Sequence, residues 1–126
     1  MRLPTLLLVL AVASPADAVT IGVRQRVSQD PSGDFTVQYD SQAKLTDYWC
    51  AAGRFVSQTL GLPDRTRVYR QSPEPRKIGK GITFTLDATR SSGKTGITTF
   101  GGPQDGSMSA GGAETLCFGF DLEYAD

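Results

Sequence analysis

DSQAKLTDYWCAAGRFVSQTLGLP, residues 40–63, carries a helix start, an apolar face and a helix stop in one run. Asp40 and Ser41 offer side-chain oxygens to the free N–H groups of a helix start. Gly61, with Pro63 just beyond, supplies a left-handed stop and a breaker. The spacing predicts one helix over residues 42–60. At about 100° per residue, Leu45, Tyr48, Trp49, Ala52, Phe55, Val56 and Leu60 share one arc, and Asp47, Arg54 and Gln58 gather opposite, so one face is core. Cys50 lies on the flank of that arc beside Gly53 and Ser57, where a sulfur reaches toward the edge of the packed face.

Away from this helix the period falls to two. Phe35, Val37 and Tyr39 alternate with Thr36, Gln38 and Asp40; Ile82, Phe84 and Leu86 alternate with Thr83, Thr85 and Asp87. In the tail, Leu116, Phe118, Phe120, Leu122 and Tyr124 share one face of an expected last strand, and Cys117 and Gly119 fall on the other. Weaker strands are expected over residues 20–27, 66–71 and 96–100. One helix followed by several strands with short connections predicts an α+β domain, a helix packed on an antiparallel sheet, in the order β-β-α-β-β-β-β. The openings Gly81-Ile82-Thr83 and Gly96-Ile97-Thr98 read as two strands of one hairpin. Residues 101–113 are rich in Gly and Ser and read as a long loop, either mobile or functional.

The N-terminus reads as an export signal. Arg2 supplies the positive charge, residues 6–13 (LLLVLAVA) a short apolar run, and Ala16-Asp17-Ala18 a small-residue cleavage site. Residues 1–18 are therefore expected to be removed, leaving residues 19–126 as a single extracytoplasmic domain, periplasmic or secreted. The apolar run falls well short of the roughly 20 residues that span a bilayer. The chain has two cysteines, Cys50 and Cys117, which in an oxidising compartment have one intramolecular pairing open to them. Closing so long a loop stabilises the fold by about 4 kcal/mol on chain-entropy arithmetic. If the helix covers the Phe118 face of the last strand, Cys117 points away from Cys50. The bridge then needs a bulge, an edge position, or a helix on the opposite face.

Composition excludes several functions. With no histidine, neither a Ser-His-Asp nor a Cys-His arrangement can form within the chain, and two cysteines so far apart match no zinc spacing. No metal or cofactor is expected. A formal net charge of zero argues against nucleic acid as partner. Ala88 followed by Gly93-Lys94-Thr95 imitates a phosphate loop, but glycine is missing at its first position and no helical pattern follows. The remaining catalytic reading is a small hydrolase or transferase using the carboxylates of Asp121 and Glu123, about 7 Å apart on one strand face.

Charge is uneven along the chain. Arg65, Arg67, Arg70, Arg76, Lys77, Lys80, Arg90 and Lys94 crowd residues 65–94 against Glu74 and Asp87, whereas residues 95–126 carry acids and no Lys or Arg. Cross-strand pairing of the two segments accounts for this; so does a basic face for an anionic partner. In QSPEPRKIGKG, residues 71–81, two prolines stiffen the chain ahead of three cations, the pattern of a rigid exposed basic loop. The leading functional expectation is a non-catalytic binding or accessory domain using Arg76, Lys77 and Lys80, with Arg65, Arg67 and Arg70, against an anionic polymer, a membrane surface or a protein. A protease inhibitor presenting Arg76 or Lys77 is the third reading.

Tyr48-Trp49-Cys50-Ala51-Ala52-Gly53, with Leu60-Gly61-Leu62-Pro63 after it, resembles small uncharacterised exported proteins of alphaproteobacteria. The resemblance covers about a fifth of the chain. It implies residence outside the cytoplasm of a Gram-negative cell and transfers no site residues.

Overall fold

The computed structural model describes residues 25–97 and 104–118. The export signal, the expected strand residues 20–24, 98–100 and 119–124, and the Asp121–Glu123 pair lie outside the described residues. Five short strands, β1 (Val27–Gln29), β2 (Phe35–Val37), β3 (Arg67–Arg70), β4 (Ile82–Thr85) and β5 (Ser107–Ser109), form one sheet in the order β1-β2-β4-β3-β5. Every neighbouring pair is antiparallel, and helix α1 (Leu45–Arg54) carries the chain from β2 over to β3. The α+β architecture expected from the sequence is the one observed.

Local chemistry explains the elements. Asp30 and Pro31 occupy the first two positions of the β1–β2 turn, the Gly33 N–H returns to the Asp30 carbonyl at 2.9 Å, and Gly33 takes φ +100°. Phe35 and Val37 then face Phe84 and Ile82 across β2 and β4, on the side that α1 covers with Trp49. Trp49 meets Phe84 edge to face at 4.8 Å between centroids. The opposite side of the sheet is polar, with Thr36 and Thr83 hydroxyls 2.7 Å apart.

Tyr48, Trp49, Ala52 and Val56, four residues of the expected apolar arc, are fully buried, and Leu45, Phe55 and Leu60 pack at the margin of the core. The helix begins later than Asp40 and Ser41 suggest, with Lys44 as its cap residue. Asp40 is engaged elsewhere: its carboxylate accepts the Gln42 N–H at 2.8 Å and its own N–H donates to the Tyr48 hydroxyl at 3.1 Å. Asp47 fills the capping role from inside the first turn, accepting the Lys44 N–H at 2.9 Å. After Arg54 the helix loosens into a π-helical turn, Phe55–Thr59, and Gly61 ends it at φ +68°.

Three expectations are corrected. The expected loop of residues 101–113 holds, over its described part, β5 and the start of a second helix, α2 (Ala110–Thr115). Two glycines make this six-residue helix intrinsically weak, so it depends on its neighbours. The Ser109 hydroxyl caps Gly112 N–H at 2.9 Å, and Ala110 and Gly111 N–H groups donate to the carbonyls of Thr66 and Asp64. Second, Leu116–Phe118 is a 3-10 turn continuing α2, not the opening of a strand. Third, β4 makes no hairpin with residues 96–97, because its two edges are already taken by β2 and β3.

The second correction removes the difficulty over the cysteines. Strand parity does not apply to a helical turn, and Cys117 is delivered onto α1, where it is disulfide-bonded to Cys50 with Cα atoms 5.0 Å apart. Gly53 makes the approach possible. A Cβ there would lie 2.8 Å from both the Ala110 carbonyl and the Ala113 methyl. Ser57, in the π-helical turn after α1, adds a hydrogen bond to the Glu114 carboxylate of α2 at 2.7 Å, so α1 with its turn and α2 with its own are joined by packing, a polar contact and a covalent link.

Candidate functional site

β3 ends at Arg70, on the same face as Val68 and opposite Phe84, which places a guanidinium on the core side of the sheet. Arg70 is 1 % exposed. Its Nε donates to the Ser72 carbonyl at 2.8 Å, Nη1 to the Thr95 carbonyl at 3.0 Å and Nη2 to the Pro73 carbonyl at 3.4 Å. The Thr95 carbonyl also accepts the Trp49 indole N–H at 3.1 Å, tying the same knot to α1. Burial draws the Arg70 pKa down, the field of Glu74 opposes that, and Arg76 reinforces it. A guanidinium nevertheless keeps its charge, so a buried cation braces the loop from within.

That loop, residues 71–81, is fixed at both ends. Gln71 and Ser72 N–H groups donate to the Thr83 carbonyl, and the Ser72 hydroxyl accepts the Thr83 N–H at 2.8 Å. At the far end Gly81 lies so close against Val37 that a Cβ would overlap its carbonyl. Between these points Glu74–Pro75 is a cis peptide, and the Arg76 guanidinium stacks on the Tyr48 ring at 4.8 Å. The tip is a tight turn in which the Lys80 N–H returns to the Lys77 carbonyl at 3.0 Å and Gly79 takes φ +79°. Lys77 and Lys80 are exposed, and Ile78 between them is 95 % exposed.

The six cations singled out in the sequence therefore separate into three groups. Arg76, Lys77 and Lys80 share the loop, with Lys77 and Lys80 outward and Arg76 half-buried on Tyr48. Arg70 is turned inward and supports the loop rather than facing a partner. Arg67 stands at the opposite end of β3, roughly 10 Å from Arg70 by strand rise, and Arg65 precedes the strand at that end. Arg65 is exposed there. Arg67 donates to the Ser107 hydroxyl at 2.9 Å, and that hydroxyl donates to Asp105 at 2.6 Å, which helps hold the Asp105 carboxyl below its usual range. This relay is a form of the cross-strand pairing that the charge distribution allows.

Beside the loop lies an open cleft of about 510 Å³ lined by Leu45, Arg70, Glu74, Pro75, Arg76 and Gly96. The residue-level signal that sequence reading missed is Ile78, the one apolar residue among the loop's cations. Its neighbours Lys77 and Lys80 drew attention instead. Lys94, in the false phosphate loop, is exposed. Among the described residues no three His, Cys, Asp or Glu are grouped as a metal would require, and no helix is long and apolar enough to cross a membrane.

No family model, no curated protein and no solved structure matches the chain.

Proposed function

We propose that this chain is exported, loses residues 1–18, and acts outside the cytoplasm as a non-catalytic binding domain that engages an anionic partner through the 71–81 loop. The observation that carries this reading is the bracing of that loop. A buried arginine satisfies three carbonyls in and beside it, and its exposed tip offers Lys77 and Lys80 with little ordering left to do on binding. The disulfide suits an oxidising compartment.

The same geometry weighs against the inhibitor reading. A protease cleft takes its ligand extended, whereas the peptide after Lys77 lies inside a closed turn and Arg76 is committed to Tyr48.

Because the whole chain has no net charge, attraction to a polyanion must come from a local cluster. Anisotropy titration against fluorescent dextran sulfate tests this. Binding that weakens about tenfold in the Lys77→Ala, Lys80→Ala double variant and fades with added salt is expected. Equal binding by the double variant contradicts it, as does a parent that binds neither this polymer nor any other anionic surface.

A further inference from the structure

Ile78 occupies a place where the fold has no use for it. It is the second residue of the Lys77–Lys80 turn, a position that proline or a polar residue fills equally well, while Gly79 alone answers the turn's demand for positive φ. The side chain is 95 % exposed and contributes nothing to the core. On either side stand exposed lysines, and neither is in an ion pair with any described residue.

Resting on the reading that this loop engages an anionic partner, we propose that the partner is the headgroup surface of an anionic lipid bilayer. Ile78 enters the acyl boundary, and Lys77 and Lys80 meet lipid phosphates. Residue choice separates this from a protein interface. Interfaces between proteins favour arginine and aromatic rings and are depleted in lysine, yet the tip presents lysine and one aliphatic side chain. Its nearest guanidinium, Arg76, is turned back onto Tyr48. Lysine stems are long and flexible, so their ammonium groups stay among headgroups while the residue between them goes deeper. A protruding apolar tip ringed by cations needs no pocket in its partner, only a soft negative surface. Taken without those two lysines the chain is net negative, −2, and is not drawn to a negative surface, so the molecule docks tip first. One isoleucine and two lysines give a weak, reversible and salt-sensitive attachment.

The test is co-sedimentation of the full chain with vesicles of phosphatidylglycerol and phosphatidylcholine in equal parts, against phosphatidylcholine alone. Comparison between variants cancels any contribution of the apolar run near the N-terminus. Partition into the anionic vesicles is expected to fall about fivefold for each of Lys77→Ala and Lys80→Ala. Ile78→Ser is expected to lower it by about tenfold or more. Emission from Ile78→Trp should shift to the blue and be quenched by brominated acyl chains, over the constant background of Trp49, which is fully buried. All four substitutions lie on an exposed turn, and unchanged circular dichroism confirms the fold. Partition insensitive to these changes, or an Ile78→Trp emission that vesicles leave unmoved, overturns the proposal. Tip-dependent binding to dextran sulfate or polyglutamate without binding to vesicles overturns the lipid assignment and leaves the anionic-partner reading standing. Failure with vesicles and polymers together overturns both.

Discussion

At position 70 an arginine occupies a site whose neighbours on the same face, Val68 and Phe84, are apolar. Replacing it by methionine keeps the length of the side chain and removes the donors, leaving the Ser72 and Pro73 carbonyls without that partner. We expect Arg70→Met to cost about 3 kcal/mol in urea unfolding and to open the bond after Lys77 to trypsin at concentrations that spare the parent. Arg70→Lys should fall between the two, because an ammonium cannot span three carbonyls as a planar guanidinium does. The position was legible in part. Period-two alternation over residues 66–71 puts Arg70 beside Val68, but a charged residue type in a basic run reads as exposed, and only the carbonyls gathered by Ser72, Pro73 and Thr95 make its burial tolerable.

A second buried charge, Asp34, sets a pH dependence. The Arg90 guanidinium donates to both its oxygens, at 2.8 and 3.1 Å, and this pairing holds its carboxyl below the usual aspartate range. A carboxyl whose folded pKa is depressed contributes stability that is present above its unfolded value of about 3.9 and is lost as pH falls through the folded value. Thermal melts from pH 7 down to 2 should therefore steepen below about pH 4 in the parent. The acid limb should flatten in Asp34→Asn, which is itself less stable at neutral pH. An unchanged limb in that variant would count against the pairing.

At the scale of elements, the contact between α1 and α2 turns on Gly53. Helix propensity alone says that Gly53→Ala stabilises by about 1 kcal/mol. Packing says the reverse, since the new methyl would strike the Ala110 carbonyl and the Ala113 side chain. We expect packing to win by a net loss of about 1–3 kcal/mol in thermal or urea melts. The exposed Gln58→Ala serves as a control and stays within about 0.5 kcal/mol of the parent. Helix α1 was legible because its apolar arc is long and regular and its stop is written in Gly61 and Pro63. Helix α2 was not, because nothing local favours it. Two glycines in six residues argue for loop, and the contacts that override them, to Thr66, Asp64, Gly53 and Cys50, are distant in sequence. The period-two run starting at Leu116 misled for the same reason, since a 3-10 turn held by a disulfide overrides its alternation where it is described.

For the molecule as a whole, the α+β class followed from one helix among alternating strands. Strand order did not, because β4, joined to β3 by the 71–81 loop, also pairs with β2, a strand that no adjacent turn connects to it. This insertion positions the site: β4 clamps the base of the 71–81 loop at Thr83, and β2 closes its far end at Gly81. The loop's cations were visible in the sequence, whereas the isolation of Arg65 and Arg67 at the other end of β3 emerges only once that strand is laid in the sheet. We propose the tip of this loop as the surface with which the molecule meets its partner. Photocrosslinking in the chain's own cells tests it most directly, with a benzophenone amino acid placed at position 78 and, for comparison, at exposed position 28 on β1. Adducts at position 78, absent at position 28 and lost when Lys77→Ala and Lys80→Ala are added, are the result predicted. Equal adducts at both positions, or none at position 78, would contradict it.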